Sequence, residues 1–146
     1  MRKLWSLAAG AAALALVCAS AQAASLTFKA ALNGASEVPP TNSSGTGSAT
    51  VTVDNATKKV SWTVQYSGLS GPATAAHIHC GAAPGANAGV AVPLTGAGAP
   101  PASPLQGSAT MTDAQLSDLT AGRCYVNIHT DANKGGEIRG QLAQAQ

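Results

Sequence analysis

Three histidines are the residues of this chain best suited to chemistry, and all three lie in two short segments. His77 and His79 lie in residues 74–80 (TAAHIHC), and His129 lies in residues 123–130 (RCYVNIHT). Neutral imidazole binds copper, zinc, nickel and iron well, and a three-histidine set leaves one or two coordination positions open. The histidines therefore predict a metal site, provided that the two segments are neighbours in the fold.

Both segments alternate between apolar and polar residues, as strands do. Successive side chains of a strand point to opposite faces of the sheet. His77 and His79 then share one face, and Asn127 and His129 share a face of the second segment. Because the apolar residues between them are expected to face the core, we predict that the histidines lie on the outer face of the sheet.

Copper is the metal that we expect first, and zinc second. Copper binds most tightly among the first-row divalent ions at equal geometry. A blue-copper centre is disfavoured because it needs a Cys thiolate, and both remaining cysteines fall on the opposite face from the histidines. The two-metal site of copper–zinc superoxide dismutase is excluded, since it needs about twice as many histidines. The alternative to a metal site is that the imidazoles only form hydrogen bonds to loops.

The cysteines predict a disulfide that would hold the two histidine segments together. Cys18 leaves with the N-terminal segment described below, so Cys80 and Cys124 remain as a pair. Both have the core-facing parity, and an exported protein enters an oxidising compartment. The bond would stabilise the fold by about 2–4 kcal/mol. The alternative is two reduced, buried cysteines.

Several polar residues near the histidines have weaker predicted roles. Asn127 is predicted to be a second-shell hydrogen-bond partner of the metal site. Arg139 could also lie beside the site and steer an anion, but a surface ion pair between Arg139 and Glu137 is the favoured interpretation. Asp131 is assigned to a turn rather than to a fourth ligand, and the role of Glu37 is open.

The N-terminus predicts a signal peptide over residues 1–23. A short basic region precedes an apolar run of about 14 residues, and cleavage is expected near Ala23; a lipid anchor at Cys18 is the alternative. The remaining domain, residues 24–146, contains six basic and six acidic residues. This zero net charge gives no reason to expect binding to nucleic acid, and no membrane insertion is expected after cleavage. We predict a periplasmic or secreted protein.

The pattern beyond the histidines predicts an all-β fold. About eight short strands are separated by turn signals, and the single helix candidate covers residues 112–122, with Thr112 and Gln115 forming a capping box. This favours an antiparallel β-sandwich of Greek-key or immunoglobulin-like type.

Four motifs resemble the CHRD domain, named for chordin and common in exported bacterial proteins. They are EVPP (residues 37–40), AAHIHCGAAPGANAGV (75–90), GRCYVNIHT (122–130) and GGEIRGQL (135–142). The resemblance implies an immunoglobulin-like or Greek-key β-sandwich. In chordin the repeats belong to a secreted binder of growth factors, which a single bacterial copy need not be, so the resemblance informs the fold more than the function.

Three functions fit the sequence, and whether the protein is an enzyme stays open. The first is an exported copper-binding protein for storage, delivery or tolerance, with the metal ion as its partner. The second is a copper oxidoreductase with dismutase-like chemistry at the same site. The third is a metal-free extracellular interaction module, acting as a homodimer or with an unknown protein.

Overall fold

The computed structural model describes residues 24–96 and 98–146, so the predicted signal peptide, residues 1–23, lies outside it. Strands dominate this part of the chain, together with one α-helix and one short 3-10 helix at Gly34–Ser36. The elements are β1 (Ser25–Asn33), β2 (Thr46–Asp54), β3 (Lys59–Ser67), β4 (Ala73–Cys80), β5 (Val90–Pro93), β6 (Leu105–Thr110), α1 (Asp113–Thr120), β7 (Cys124–Thr130), β8 (Ile138–Gln141) and β9 (Ala143–Gln144).

The nine strands of the described residues belong to one antiparallel sheet. Its order is β5-β4-β7-β8-β1-β2-β3-β6, with β9 paired to β1. The sheet curves into a nearly closed barrel. It stays open between its two end strands, β5 and β6, which do not pair with each other. The prediction of an all-β antiparallel fold with one helix is confirmed. The Greek-key and immunoglobulin-like sandwich is not, since the described strands form one continuous sheet rather than two.

The core lies inside this curved sheet and is built from alternate residues of neighbouring strands. Phe28, Val51, Val64, Ile78 and Val126 are all 0% exposed. β-Branched and aromatic side chains pack well on a pleated surface, which explains why these segments form strands. Among the described helices, no segment is long and apolar enough to cross a membrane.

The helix α1 fixes the point at which β7 begins. The side chain of Thr112 accepts a hydrogen bond from the Gln115 backbone, and the Gln115 side chain accepts one from the Thr112 backbone, so the predicted capping box is present. Leu119 is fully buried against the core. Beyond the helix end, Arg123 forms an ion pair with Asp118. The chain then enters β7 at Cys124.

The two histidine-bearing strands are direct neighbours, which is the condition that the predicted metal site required. β4 pairs with β7 antiparallel, with His77 opposite Asn127 and Cys80 opposite Cys124. A disulfide joins these two cysteines, with a Cα–Cα distance of 4.2 Å. This covalent link holds the end of β4 beside the start of β7, one residue away from His79.

Candidate metal centre

The three histidines converge on one point of the sheet. Their potential ligand atoms all lie within 4.8 Å of one another. The closest pair is Nδ1 of His77 and Nε2 of His129, at 3.0 Å. Nitrogen ligands about 2.0 Å from a tetrahedral ion lie about 3.3 Å apart. The two closest nitrogens now form a hydrogen bond, which would be replaced if the three rings turned to share one ion.

Two of the rings are oriented by backbone carbonyls. Nδ1 of His79 lies 2.9 Å from the carbonyl oxygen of Ala88. Nδ1 of His129 lies 2.9 Å from the carbonyl oxygen of Lys134. A carbonyl oxygen can only accept, so each Nδ1 carries the proton and each Nε2 keeps its lone pair. This is the arrangement of metal-binding histidines, whose second nitrogen donates to a carbonyl or carboxylate.

The histidines lie opposite the core face, as predicted, but that outer side is covered by loops. Every residue of β7 is buried, including both its apolar and its polar side chains. His79 and His129 are 8% and 9% exposed, whereas His77 is only partly buried. The open side of the site therefore lies at His77.

Burial and neighbouring histidines lower the pKa values of His77 and His129. Burial lowers the pKa of His77 to about 4, and His129 and His79 lower it further by repulsion between positive charges. Burial also lowers the pKa of His129, although its hydrogen bond to Lys134 opposes the shift. Since a metal competes with protons for imidazole, low pKa values leave these rings available as ligands at neutral pH.

A stack of three side chains supports His79 from the side. The ring of Tyr125 lies parallel to that of His79, with centroids 4.8 Å apart. The Cζ of Arg139 lies 3.3 Å from the centre of the Tyr125 ring, and its guanidinium donates to the Asn87 side chain at 3.1 Å and the Ala86 carbonyl at 2.8 Å. Arg139 therefore supports the site through Tyr125 and through the loop that carries Ala88.

The prediction of a surface ion pair between Glu137 and Arg139 is wrong. Both residues are buried, at 0% and 2% exposed, and the ion pairs of the described residues join other side chains. Strand alternation does place both on one face, but the loops that cover this face provide each with separate partners. Sequence alternation cannot distinguish a solvent-facing side from one covered by loops.

Glu137 is the centre of a hydrogen-bond network that ties three segments together. Its carboxylate accepts from Ser43, Thr130 and Asn133, and from both the backbone and the hydroxyl of Ser70. Burial alone would raise the pKa of Glu137, but hydrogen bonds from Ser70, Thr130 and Ser43 outweigh it and lower the pKa to about 2. The network fixes the turn that carries Lys134, whose carbonyl orients His129.

Asn127 and Glu37 form a second polar pair beside the histidines. Oδ1 of Asn127 lies 3.1 Å from Nε2 of His79, which places Asn127 in the predicted neighbourhood of the site. Glu37 is 4% exposed, and its Oε1 is buried without a hydrogen-bond partner. Burial raises the pKa of Glu37, while the positive charge of Arg139, the Val38 backbone and the Asn127 side chain oppose the shift. Asp131 is exposed in the turn after β7.

The structure thus shows three groups beside the predicted site residues that the sequence did not assign to the site. The carbonyls of Ala88 and Lys134 orient two rings, and Glu37 contacts Asn127. Backbone carbonyls carry no sequence signal. Glu37 had one, because it precedes two prolines that restrict the loop, but nothing in the sequence shows that this loop folds over the histidines.

Comparison with known families identifies one match. The CHRD domain model matches residues 28–142, which covers most of the chain. The four motifs quoted above all lie within this range. No curated protein and no solved structure matches the chain.

Proposed function

This chain belongs to the CHRD domain family, and we propose that it is an exported protein, periplasmic or secreted, that binds one copper ion through His77, His79 and His129 in copper homeostasis. The observation that carries the proposal is the orientation of two rings by backbone carbonyls, which directs their Nε2 atoms away from those carbonyls. His77 and His129 also form a hydrogen bond with each other, and the ligand atoms of all three rings lie within 4.8 Å of one another, which would let them share one ion.

Copper fits this ligand set better than the other first-row metals. Imidazole suits copper and zinc, and copper binds more tightly at the same ligands. The disulfide removes both cysteines of the described chain as thiolate ligands, so a blue-copper centre is disfavoured. Three neutral imidazoles leave the ion with its full positive charge, which favours a water or a small anion at the open position.

Metal titration of the purified protein tests this proposal. The protein should carry a tag without histidine and be treated with a chelator before copper or zinc is added. We expect one copper ion per chain by elemental analysis, tighter binding of copper than of zinc, and nitrogen hyperfine coupling in the copper EPR spectrum. The His77→Ala/His79→Ala variant should lose the ion. The Thr74→Ala variant, changed at an exposed position of the same strand, should retain it.

The outcomes separate the competing functions. If the wild-type protein binds no copper after this treatment, the proposal is refuted and the metal-free interaction module becomes the favoured function. Redox turnover is a second candidate function because His77, the least buried of the three histidines, leaves one side of the site open. Copper-loaded protein that dismutates superoxide, with activity lost in the His77→Ala/His79→Ala variant, would support it; bound copper without turnover would favour storage or delivery.

A further inference from the structure

The hydrogen bonds around His79 contain a conflict that a bound cation would resolve. Its Nδ1 donates to the Ala88 carbonyl, so its Nε2 carries a lone pair. That lone pair faces Oδ1 of Asn127 at 3.1 Å. Two lone pairs facing each other repel unless the ring is doubly protonated or a cation lies between them.

The amide of Asn127 cannot simply turn round to remove the conflict. In the present orientation its Nδ2 lies beside the carboxylate of Glu37, and Asn127 lowers the pKa of that carboxyl group. After a turn, the amide oxygen would face the oxygens of that carboxylate instead. A Cβ built on Gly136 would lie 2.3 Å from Oε1 of Glu37 and 2.7 Å from Nδ2 of Asn127, so the two groups press side by side against this glycine.

We propose that the amide oxygen of Asn127 is the fourth ligand of the metal site, and that Glu37 is the positioning residue that holds it there. The proposal rests on the proposed metal binding and deepens it. Asn127 is 2% exposed, lies on the same face as His129 and pairs with His77 across the strands. Its Oδ1–Nε2 separation of 3.1 Å matches the 3.0 Å between the ligand atoms of His77 and His129. Both separations are slightly shorter than the about 3.3 Å expected between neighbouring ligands of a tetrahedral ion.

A set of three imidazoles and one amide oxygen selects among oxidation states. Carbonyl oxygen is a hard ligand, whereas Cu(I) is selected by soft thiolate and thioether ligands. The described site offers no sulfur, since both cysteines are in the disulfide. The site is therefore one for a divalent ion, Cu(II) before Zn(II), and it should bind Cu(I) less well.

Three variants test the ligand and its positioning residue. Asn127→Leu keeps the number and branching of the side-chain heavy atoms but removes the oxygen. Glu37→Leu removes the carboxylate that is proposed to position the amide. The exchange variant Glu37→Gln/Asn127→Asp swaps the acid and the amide, so that an oxygen again faces the ion and the glutamine amide donates to the other aspartate oxygen. Cu(II) affinity is measured by competition with a chromophoric chelator, and exchangeable water on the ion by pulsed EPR after transfer to D₂O.

We expect Asn127→Leu to weaken Cu(II) binding by about tenfold to a hundredfold, and to add an exchangeable water in place of the amide. Glu37→Leu should weaken binding in the same direction, and the exchange variant should recover most of the affinity. An unchanged affinity and spectrum in Asn127→Leu, or an exchange variant as weak as Asn127→Leu, would overturn the assignment of the ligand. An unchanged affinity in Glu37→Leu would overturn the positioning role.

The wild-type protein keeps the test decisive if a variant does not fold. Circular dichroism of each metal-free variant establishes folding first. If Asn127→Leu is unfolded, the wild-type spectrum and the exchange variant decide, and an exchangeable water in the position assigned to the amide overturns the proposal. Wild-type protein without any bound Cu(II) would instead refute the proposed function itself, so the two failures are distinguishable.

Discussion

Replacing Glu137 by glutamine should destabilise the protein by about 3 kcal/mol at neutral pH. The carboxylate is fully buried and accepts hydrogen bonds from four residues. Those bonds lower its pKa from 4.5 to about 2, and each pKa unit corresponds to about 1.4 kcal/mol of stability. A glutamine keeps the shape but turns one acceptor into a donor, which would face groups such as Ser70 and Thr130 that now donate.

The pH dependence gives the sign of this effect. A carboxylate with a lowered pKa in the folded state contributes stability that is complete above its unfolded value, here 4.5, and that is lost as the pH falls towards about 2. Urea unfolding of wild type and Glu137→Gln should therefore differ most at neutral pH and converge at the acidic end. The fluorescence of the buried Trp62 provides the signal.

Glu37 is the matched control, because its pKa is shifted in the opposite direction. Burial raises the pKa of Glu37, so the stability linked to its protonation is present at low pH and is lost as the pH rises through the folded value. Glu37→Gln should therefore leave the stability at neutral pH unchanged or higher. Equal unfolding midpoints for wild type and Glu137→Gln at neutral pH, or a difference that does not shrink below pH 4.5, would refute the reasoning.

Three other predictions concern the links around the site. Removing the disulfide by Cys80→Ala/Cys124→Ala should cost about 4 kcal/mol in urea unfolding, since the bond closes a loop with a sequence separation of 44 residues; an unchanged midpoint would contradict this. The metal-free protein should lose the stability linked to His77 as the pH falls from 6.5 towards about 4, and His77→Ala should lack this loss in the same unfolding assay. Gly136→Ala should lower stability and copper affinity, because the new Cβ would lie 2.3 Å from a carboxylate oxygen and the backbone φ is +129°. Gly135→Ala, where nothing lies within 4 Å, should leave both unchanged.

The strands could be predicted from alternation, because alternation is a property of a short segment. The disulfide could be predicted because only two cysteines remain after the expected cleavage and both have the core-facing parity. The pairing of β4 with β7 is consistent with the predicted disulfide between Cys80 and Cys124, but the sequence alone left it open. Sheet closure could not be predicted, because alternation shows that a strand has a core face without showing which strands share one sheet. The strand β9 has only two residues, too few for alternation to predict, and it pairs with Phe28 and Lys29 of β1.

The polar residues of the outer face were harder to interpret for a different reason. Alternation placed the histidines, Asn127 and Arg139 correctly relative to the core, but it treated the outer face as solvent-exposed. The loops that cover this face are rich in Gly, Ala and Pro and have no periodicity, so their positions depend on tertiary hydrogen bonds. This is why Glu137 and Arg139 were assigned to a surface ion pair.

The covering loops are better explained by orientation of ligands than by stability. Burying imidazole, amide and carboxylate groups costs desolvation energy, which their hydrogen bonds only offset. Each of the three covering loops nevertheless supplies a group that fixes one side chain of the site: Ala88 orients His79, Lys134 orients His129, and Glu37 contacts Asn127. A fold that only needed a stable sheet could leave this face to water. Ligand side chains that are fixed before the ion arrives lose less conformational entropy on binding it, and we infer that this preorganisation is what the buried polar face contributes.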